Sequence, residues 1–421
     1  MKSEMKTSGI GFWLKKRVPV IILLLVSLVV ALLSGLISAT VNSAYLKNHS
    51  LYGDTAAYYY LQCVAYLDSK FMGKWEAIKN QFFENSRNPF RLIPIIWMNP
   101  DWLIEHNGHL ITTSLMLFAY LFFFGWIIYR RCGSLFYALS GVFLILVVES
   151  LFDPVFGLGG NYCDLPASFL LGAALFALLN SDEAGNWKML ICSGFFVALT
   201  ALSRFVAAGY TAVICGPILL YFLIKRWRQK REFTRAVLFP VLVFLLPIVV
   251  FSGFYFFNFT LRVLNFYSLQ GYALNTNLSQ VISDFIRLFP RFPGITGFAV
   301  LMLLAFFYFS LHFSFRKNWS ELILTIWAAA AQIILVVFVL KVGDDWLPLH
   351  YIYPGLFLLS FAPFSIDLEK IRNIKILPLH WKGGVVLMLI FLGIGWSHYR
   401  QVQRKIAYPT PEETKRDKQR A

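Results

Sequence analysis

Few ionisable residues in this chain stand beside its long apolar runs, and those few define the chemistry open to it. Asp54, in Leu51-Tyr-Gly-Asp-Thr-Ala-Ala-Tyr58, follows directly on the first such run. Asp153 and Asp164 bracket the stretch before another run, Arg204 interrupts Ala-Leu-Ser-Arg-Phe-Val-Ala-Ala-Gly209, and His350-Tyr351 opens a later run shortly before Pro354. A carboxylate in such a place can take the proton of an attacking hydroxyl. A guanidinium surrounded by apolar residues must snorkel or meet an anion, and its planar donor fork suits a phosphate. The pattern points to chemistry on a phosphorylated molecule held in a membrane.

Each residue also has a plainer role. Gly53-Asp54-Thr55 ahead of Ala, Tyr and Leu is a good helix start, and so is Asp164-Leu-Pro166. Asp153-Pro154 reads as a turn. Arg204 could pair with a structural Asp, and His350-Tyr351 could be interfacial anchors. Capping and catalysis can coexist, because a carboxylate that caps a helix at a membrane surface still faces the solution.

The elements that must position these residues follow from composition. The chain has 421 residues, 58% of them hydrophobic and 14% charged. A soluble domain carries about 25% charged residues, so most of this surface must avoid water. Long uncharged runs recur at close to the length a helix needs to span a bilayer, and they are continuous rather than alternating, which selects helices over a barrel. The expected fold is an all-α polytopic membrane bundle of about 11 transmembrane helices, with interfacial helices in the first outer loop. The net charge of +16 comes from basic residues scattered between apolar runs, which fits membrane topology and gives no nucleic-acid module.

Basic residues before the first run put the N-terminus in the cytoplasm. Span one, Val18 to Thr40, then leads to an outer segment, 41–108, too aromatic for disorder. Span two, His109 to Tyr129, ends at Arg130-Arg131 inside. Span three, Ser134 to Leu151, returns outward to a loop without Lys or Arg, and span four runs from Asp164 to Asn180. Spans five (Lys188 to Leu202) and six (Phe205 to Ile224) are separated by Ser203-Arg204 and lead to the strongest basic cluster, Lys225 to Arg231, inside. Span seven is Ala236 to Asn258, span eight Ile295 to Phe315, span nine Glu321 to Leu340, span ten His350 to Ser365 and span eleven Gly383 to Ser397. The expected organisation is therefore one membrane domain, 1–398, and a polar tail, 399–421, which falls outside. Five cysteines show no metal-ligand spacing, and a Cys63–Cys163 pair on the outer side stays open.

The order and content of these sites resemble the GT-C fold of polyprenyl-phosphate-sugar-dependent glycosyltransferases, in the group of the protein O-mannosyltransferases and the bacterial lipid A aminoarabinose transferases. Gly53-Asp54-Thr55-Ala-Ala-Tyr58 stands where that group has an acidic motif after its first span. Asp164-Leu-Pro166-Ala-Ser-Phe169 matches the second Asp at the opening of the fourth span. Val197-Ala-Leu-Thr-Ala-Leu-Ser203-Arg204 and Cys215-Gly-Pro217 match a following break, and His350-Tyr351-Ile-Tyr-Pro354 matches a late Arg-Tyr-x-x-Pro-like motif. The departures are Thr55 for an acid, Arg204 for a Lys and His350 for an Arg. There is also no large soluble C-terminal domain.

The resemblance implies transfer of a sugar from a polyprenyl-phosphate donor to a protein, lipid or glycan acceptor on the extracytoplasmic face, which is the plasma membrane if the source is bacterial. It implies Asp54 as general base with Asp164 in support, Arg204, His350 and Tyr351 at the donor phosphate, and Tyr58 and Asp153 at the substrate. It fixes no cofactor: the family's paired acids admit a divalent metal, and Thr55 puts that arrangement in doubt here. Rival classes are a multi-pass transporter or lipid flippase, which would show broken helices in both halves, and a non-catalytic scaffold of the same fold.

Overall fold

A computed structural model describes residues 9–46, 53–80, 95, 99–101, 109–153, 157–159, 164–203, 205–230, 232–253 and 381–407. Among the described residues all regular structure is helical. The elements are α1 (Gly9–Leu46), α2 (Gly53–Phe71), α3 (Lys74–Asn80), α4 (His109–Cys132), α5 (Leu135–Leu144), α6 (Asp164–Leu179), α7 (Trp187–Ser203), α8 (Phe205–Lys230), α9 (Phe239–Ile248) and α10 (Trp381–Ala407). Among the described residues four helical stretches are long and apolar enough to cross a membrane: Arg17–Leu46, Leu110–Arg130, Thr234–Gly253 and Lys382–Arg404. Leu135–Val147, Leu165–Leu179 and Trp187–Ser203 are shorter apolar helices. Spans eight to ten of the sequence reading lie outside the described residues.

α4 and α6 form the centre, because nearly every side chain they carry is apolar or small. α4 packs on α1, α5 and α6, and α6 packs on α7 and α8. The join between α4 and α6 is aromatic: the Tyr120 ring lies 5.7 Å from Phe169 and 5.6 Å from Phe176, and Phe124 stacks on Phe176 at 5.2 Å. Gly172 makes room for it, since a Cβ there would lie 2.6 Å from the Tyr120 ring. α1 sits at the periphery. It buries one face against α4 and exposes Ile21, Leu25, Leu32 and Leu36, as a lipid-facing helix does.

Several boundaries differ from those the sequence suggests. Span three is α-helical only through Leu144 and continues as 3-10 turns at Ile145–Val147 and Glu149–Phe152. The β-branched run Ile145, Val147, Val148 disfavours continued helix, and Val148 is extended at φ −80°, ψ 102°. α8 runs past Ile224 to Lys230, where Arg228 and Lys230 in its last turn complement the helix dipole. α9 is flanked by π-helical turns at Thr234–Leu238 and Val249–Gly253. α10 passes the 398/399 boundary and ends at Ala407. Its last turns are good helix formers, with Arg400 over the Trp396 ring at 5.4 Å and Gln403 Nε2 donating to Tyr399 Oη at 2.6 Å.

One end of the bundle is closed by charge. The α6–α7 turn carries three successive left-handed residues, Asp182 (φ 51°), Glu183 (φ 55°) and Ala184 (φ 64°). Such a run is costly for residues with a Cβ and must be held. Arg130 Nη1 donates to the Asn180 carbonyl at 3.0 Å and Nη2 donates to Asp182 Oδ1 at 2.6 Å, while Lys225 pairs with Glu183. The basic residues that the sequence assigns to one side of the membrane thus gather at one end. α10 runs parallel to α5, with Gly384 against Phe136 and Gly395 against Leu146. It therefore begins at the Arg130 end and finishes at the other. The first long connection holds α2 and α3, joined through Gly73 (φ 94°), and exposes Tyr60, Phe71, Met72 and Trp75.

Candidate active site

The end opposite the Arg130 clamp collects the start of α6, the end of α7 and the close of α1. α6 and α7 form an antiparallel hairpin in which Ser193 Oγ donates to the Ala174 carbonyl at 2.8 Å. Ten residues back along α6 from that bond is Asp164, and ten forward along α7 is Ser203. The opening of α6 therefore stands level with the last residue of α7, one position before Arg204. Arg204 itself lies outside the described residues, but the break expected there is bounded on both sides, by Ser203 ending α7 and Phe205 beginning α8. Ser203 is buried, and its hydroxyl has no hydrogen-bond partner among the described residues.

Asp164 is the first residue of α6, as the Asp-Leu-Pro pattern predicts. Pro166 fits this first turn because its missing N–H would be unpaired there in any case. Asp54 lies in the first turn of α2, where the helix dipole favours a negative charge, and Tyr58 follows one turn later on the same face. Asp54, Tyr58 and Asp164 are placed by backbone alone.

Asp153 is half-buried and directly follows the turn Glu149–Phe152. Its carbonyl accepts from the Gly157 N–H at 2.9 Å, and the Leu158 N–H donates to the Leu151 carbonyl at 3.0 Å. These two bonds bring 157–158 back onto 151–153, while Pro154 of the expected Asp-Pro turn lies outside the described residues. Gly159 lies on the last turns of α1: a Cβ there would come 2.6 Å from the Ser38 carbonyl oxygen and 3.1 Å from Asn42 Cβ. Asn42 Nδ2 donates to the Gly159 carbonyl at 2.5 Å. The loop that leads to Asp164 is therefore bonded to the helix that leads to Asp54.

Sequence reasoning missed the polar lining of this end. Ser27, Ser34, Ser38 and Asn42 recur at helical spacing on α1 and are all buried, the last three toward this end, as are Thr112, Thr113 and Ser114 near the start of α4, which packs on α1. A Cβ at Gly35 would lie 2.1 Å from Ser114 Oγ, the close approach typical of small residues between membrane helices. Among the described residues Ser38 Oγ, Asn42 Oδ1 and Thr112 Oγ1 are buried without hydrogen-bond partners. The spacing of 27, 34, 38 and 42 was the available signal, hidden because Ser and Asn are unremarkable at span ends. His398 on α10 also belongs to this end, three residues beyond the Gly395–Leu146 contact, and its Nδ1 is buried without a partner among the described residues.

His350, Tyr351 and Cys163 lie outside the described residues. Among the described residues no group of three His, Cys, Asp or Glu could hold a metal ion; Asp54 and Asp164, known by backbone only, stand outside that statement. Fold and site together define a helical protein with helices long and apolar enough to span a membrane, held by ion pairs at one end and carrying buried small polar side chains toward the other. No protein-family model matches the chain, and no curated protein or solved structure matches it significantly.

Proposed function

We propose that this protein is a membrane glycosyltransferase that moves a sugar from a polyprenyl-phosphate donor to an acceptor on the extracytoplasmic side. The observation that supports the reading is the register of the α6–α7 hairpin, which sets the opening of α6 at Asp164 level with Ser203, the residue that precedes Arg204 in the sequence. An acid at that level and a cation next in sequence after Ser203 suit a reaction that needs a proton acceptor and a compensated phosphate. The four motifs in family order add to it.

The isoprenoid tail lies between helices and the phosphate at the interface. The acceptor oxygen attacks the anomeric carbon, the bond from that carbon to the phosphate oxygen breaks, and the acceptor proton passes to Asp54. Charge grows on the leaving phosphate, where Arg204, with His350 and Tyr351, compensates it. Asp164 orients the acceptor or supports Asp54, while Tyr58 and Asp153 contact substrate. A single displacement inverts the anomeric centre. A lipid-borne donor suits a chain with no nucleotide-phosphate loop, since nucleotide sugars are not supplied outside the cell.

The test is purified protein incubated with a panel of polyprenyl-phosphate sugars, with release of polyprenyl phosphate followed over time. Release is expected for at least one sugar, lost in Asp54→Asn and impaired mainly through donor use in Arg204→Ala, where an unchanged donor dependence rejects the phosphate role. Release that survives Asp54→Asn unchanged removes the base assignment. No release from any donor, with bidirectional movement of labelled lipid instead, assigns the chain to the flippases.

A further inference from the structure

Asn42 sits on no motif, yet it makes the long-range bond on which the geometry of the proposed site turns. It is buried in the penultimate turn of α1, and its side-chain amide donates to the Gly159 carbonyl across 117 residues of sequence. The distance of 2.5 Å fixes which end of the amide faces the loop, because only the nitrogen can donate to a carbonyl. Gly159 lies so close to α1 that no other residue type fits without displacement: its missing Cβ would overlap the Ser38 carbonyl oxygen and crowd Asn42 Cβ. Contact and bond together hold the loop from both sides.

Gly159 is tied in turn to Asp153: the Gly157 N–H donates to the Asp153 carbonyl and the Leu158 N–H to the Leu151 carbonyl, so that fixing 157–159 also holds 151–153. A Cβ at Gly157 would lie 2.5 Å from the Asp153 carbonyl oxygen and 2.6 Å from that of Leu151, so the two short stretches are in close contact. Asp164 begins α6 only five residues after Gly159.

We infer that Asn42 is a positioning residue that latches 157–159, and with them Asp153, onto the end of α1. The inference rests on the proposed transferase reading for its catalytic consequence and not for its geometry. Replacing Asn42 by Asp keeps size and shape and removes the donor, leaving an oxygen against the Gly159 carbonyl. The loop then lifts from α1, and a misplacement approaching 1 Å costs roughly 10- to 100-fold in rate.

The experiment uses the full chain with its native cysteines replaced and spin labels at Ser43→Cys and Asp153→Cys, read by pulsed electron resonance. The parent should give one narrow distance distribution, and Asn42→Asp a distribution at least twice as broad. Gly159→Ala, which keeps the amide but pushes the loop off Ser38, should broaden it in the same way and carries the test if Asn42→Asp fails to insert. In otherwise unlabelled protein, Asn42→Asp should lower kcat roughly 10- to 100-fold with donor KM little changed. Unchanged distances in both variants overturn the latch, even where the parent is an active transferase. Broadened distances with unchanged kcat overturn the positioning role. Broadened distances in a chain that turns over no donor uphold the latch and reject the transferase reading.

Discussion

Gly194 in α7 is a close approach of one helix to the backbone of another, on which the packing of the bundle depends. A Cβ at that position would lie 2.1 Å from the Phe244 carbonyl oxygen, 3.1 Å from the Phe244 carbonyl carbon and 3.4 Å from Pro247 Cγ. Ordinary contact begins near 3.4 Å, so the clash with the carbonyl oxygen falls short by about 1.3 Å. The obstacle is backbone and cannot rotate away. α7 and α9 must part, or one must turn, and overpacking of this kind costs about 1–3 kcal/mol. Alanine also stabilises a helix by roughly 0.5–1 kcal/mol relative to glycine, which masks part of the loss. Gly209 in α8 supplies the control, because a Cβ there meets nothing within 4 Å among the described residues. The propensity gain cancels between the two variants, so Gly194→Ala should be less stable than Gly209→Ala by the full steric cost of about 1–3 kcal/mol. The assay is the midpoint of detergent-driven unfolding in mixed micelles, measured side by side. Equal midpoints would refute the close approach of α7 to α9. A Gly209→Ala variant that loses stability would refute the use of propensity as common background.

Two further predictions concern packing and sidedness. Ser193→Ala removes an interhelical bond of 2.8 Å to a carbonyl that already belongs to the α6 ladder, so the loss should be small, about 0.6 kcal/mol and below about 2, in the same micelle titration. In a background without native cysteines, Lys79→Cys should react with a membrane-impermeant thiol reagent in intact cells, and Asp182→Cys only after permeabilisation. Both side chains are exposed, so reaction of both from the same side would overturn the expected topology.

Composition and hydropathy determined that the chain is helical and meant for a membrane, because continuous apolar runs leave the backbone no other partner than itself. They also located the helix opening at Asp164 and the break after Ser203, since Asp-Leu-Pro and an Arg between apolar runs are local signals that act within a few residues. Local signals could not set where α5 gives way to 3-10 turns or how far α10 continues, because those depend on packing against α1 and α5 and on pairs such as Arg400 with Trp396. The level of Asp164 with Ser203 was likewise beyond the sequence: it follows from the length of the α6–α7 turn and from the Ser193 bond, which fix the register of two helices. Asn42 is the clearest case. Its side chain gains meaning only when a loop more than a hundred residues away comes within hydrogen-bond reach, and no pattern along the chain carries that distance.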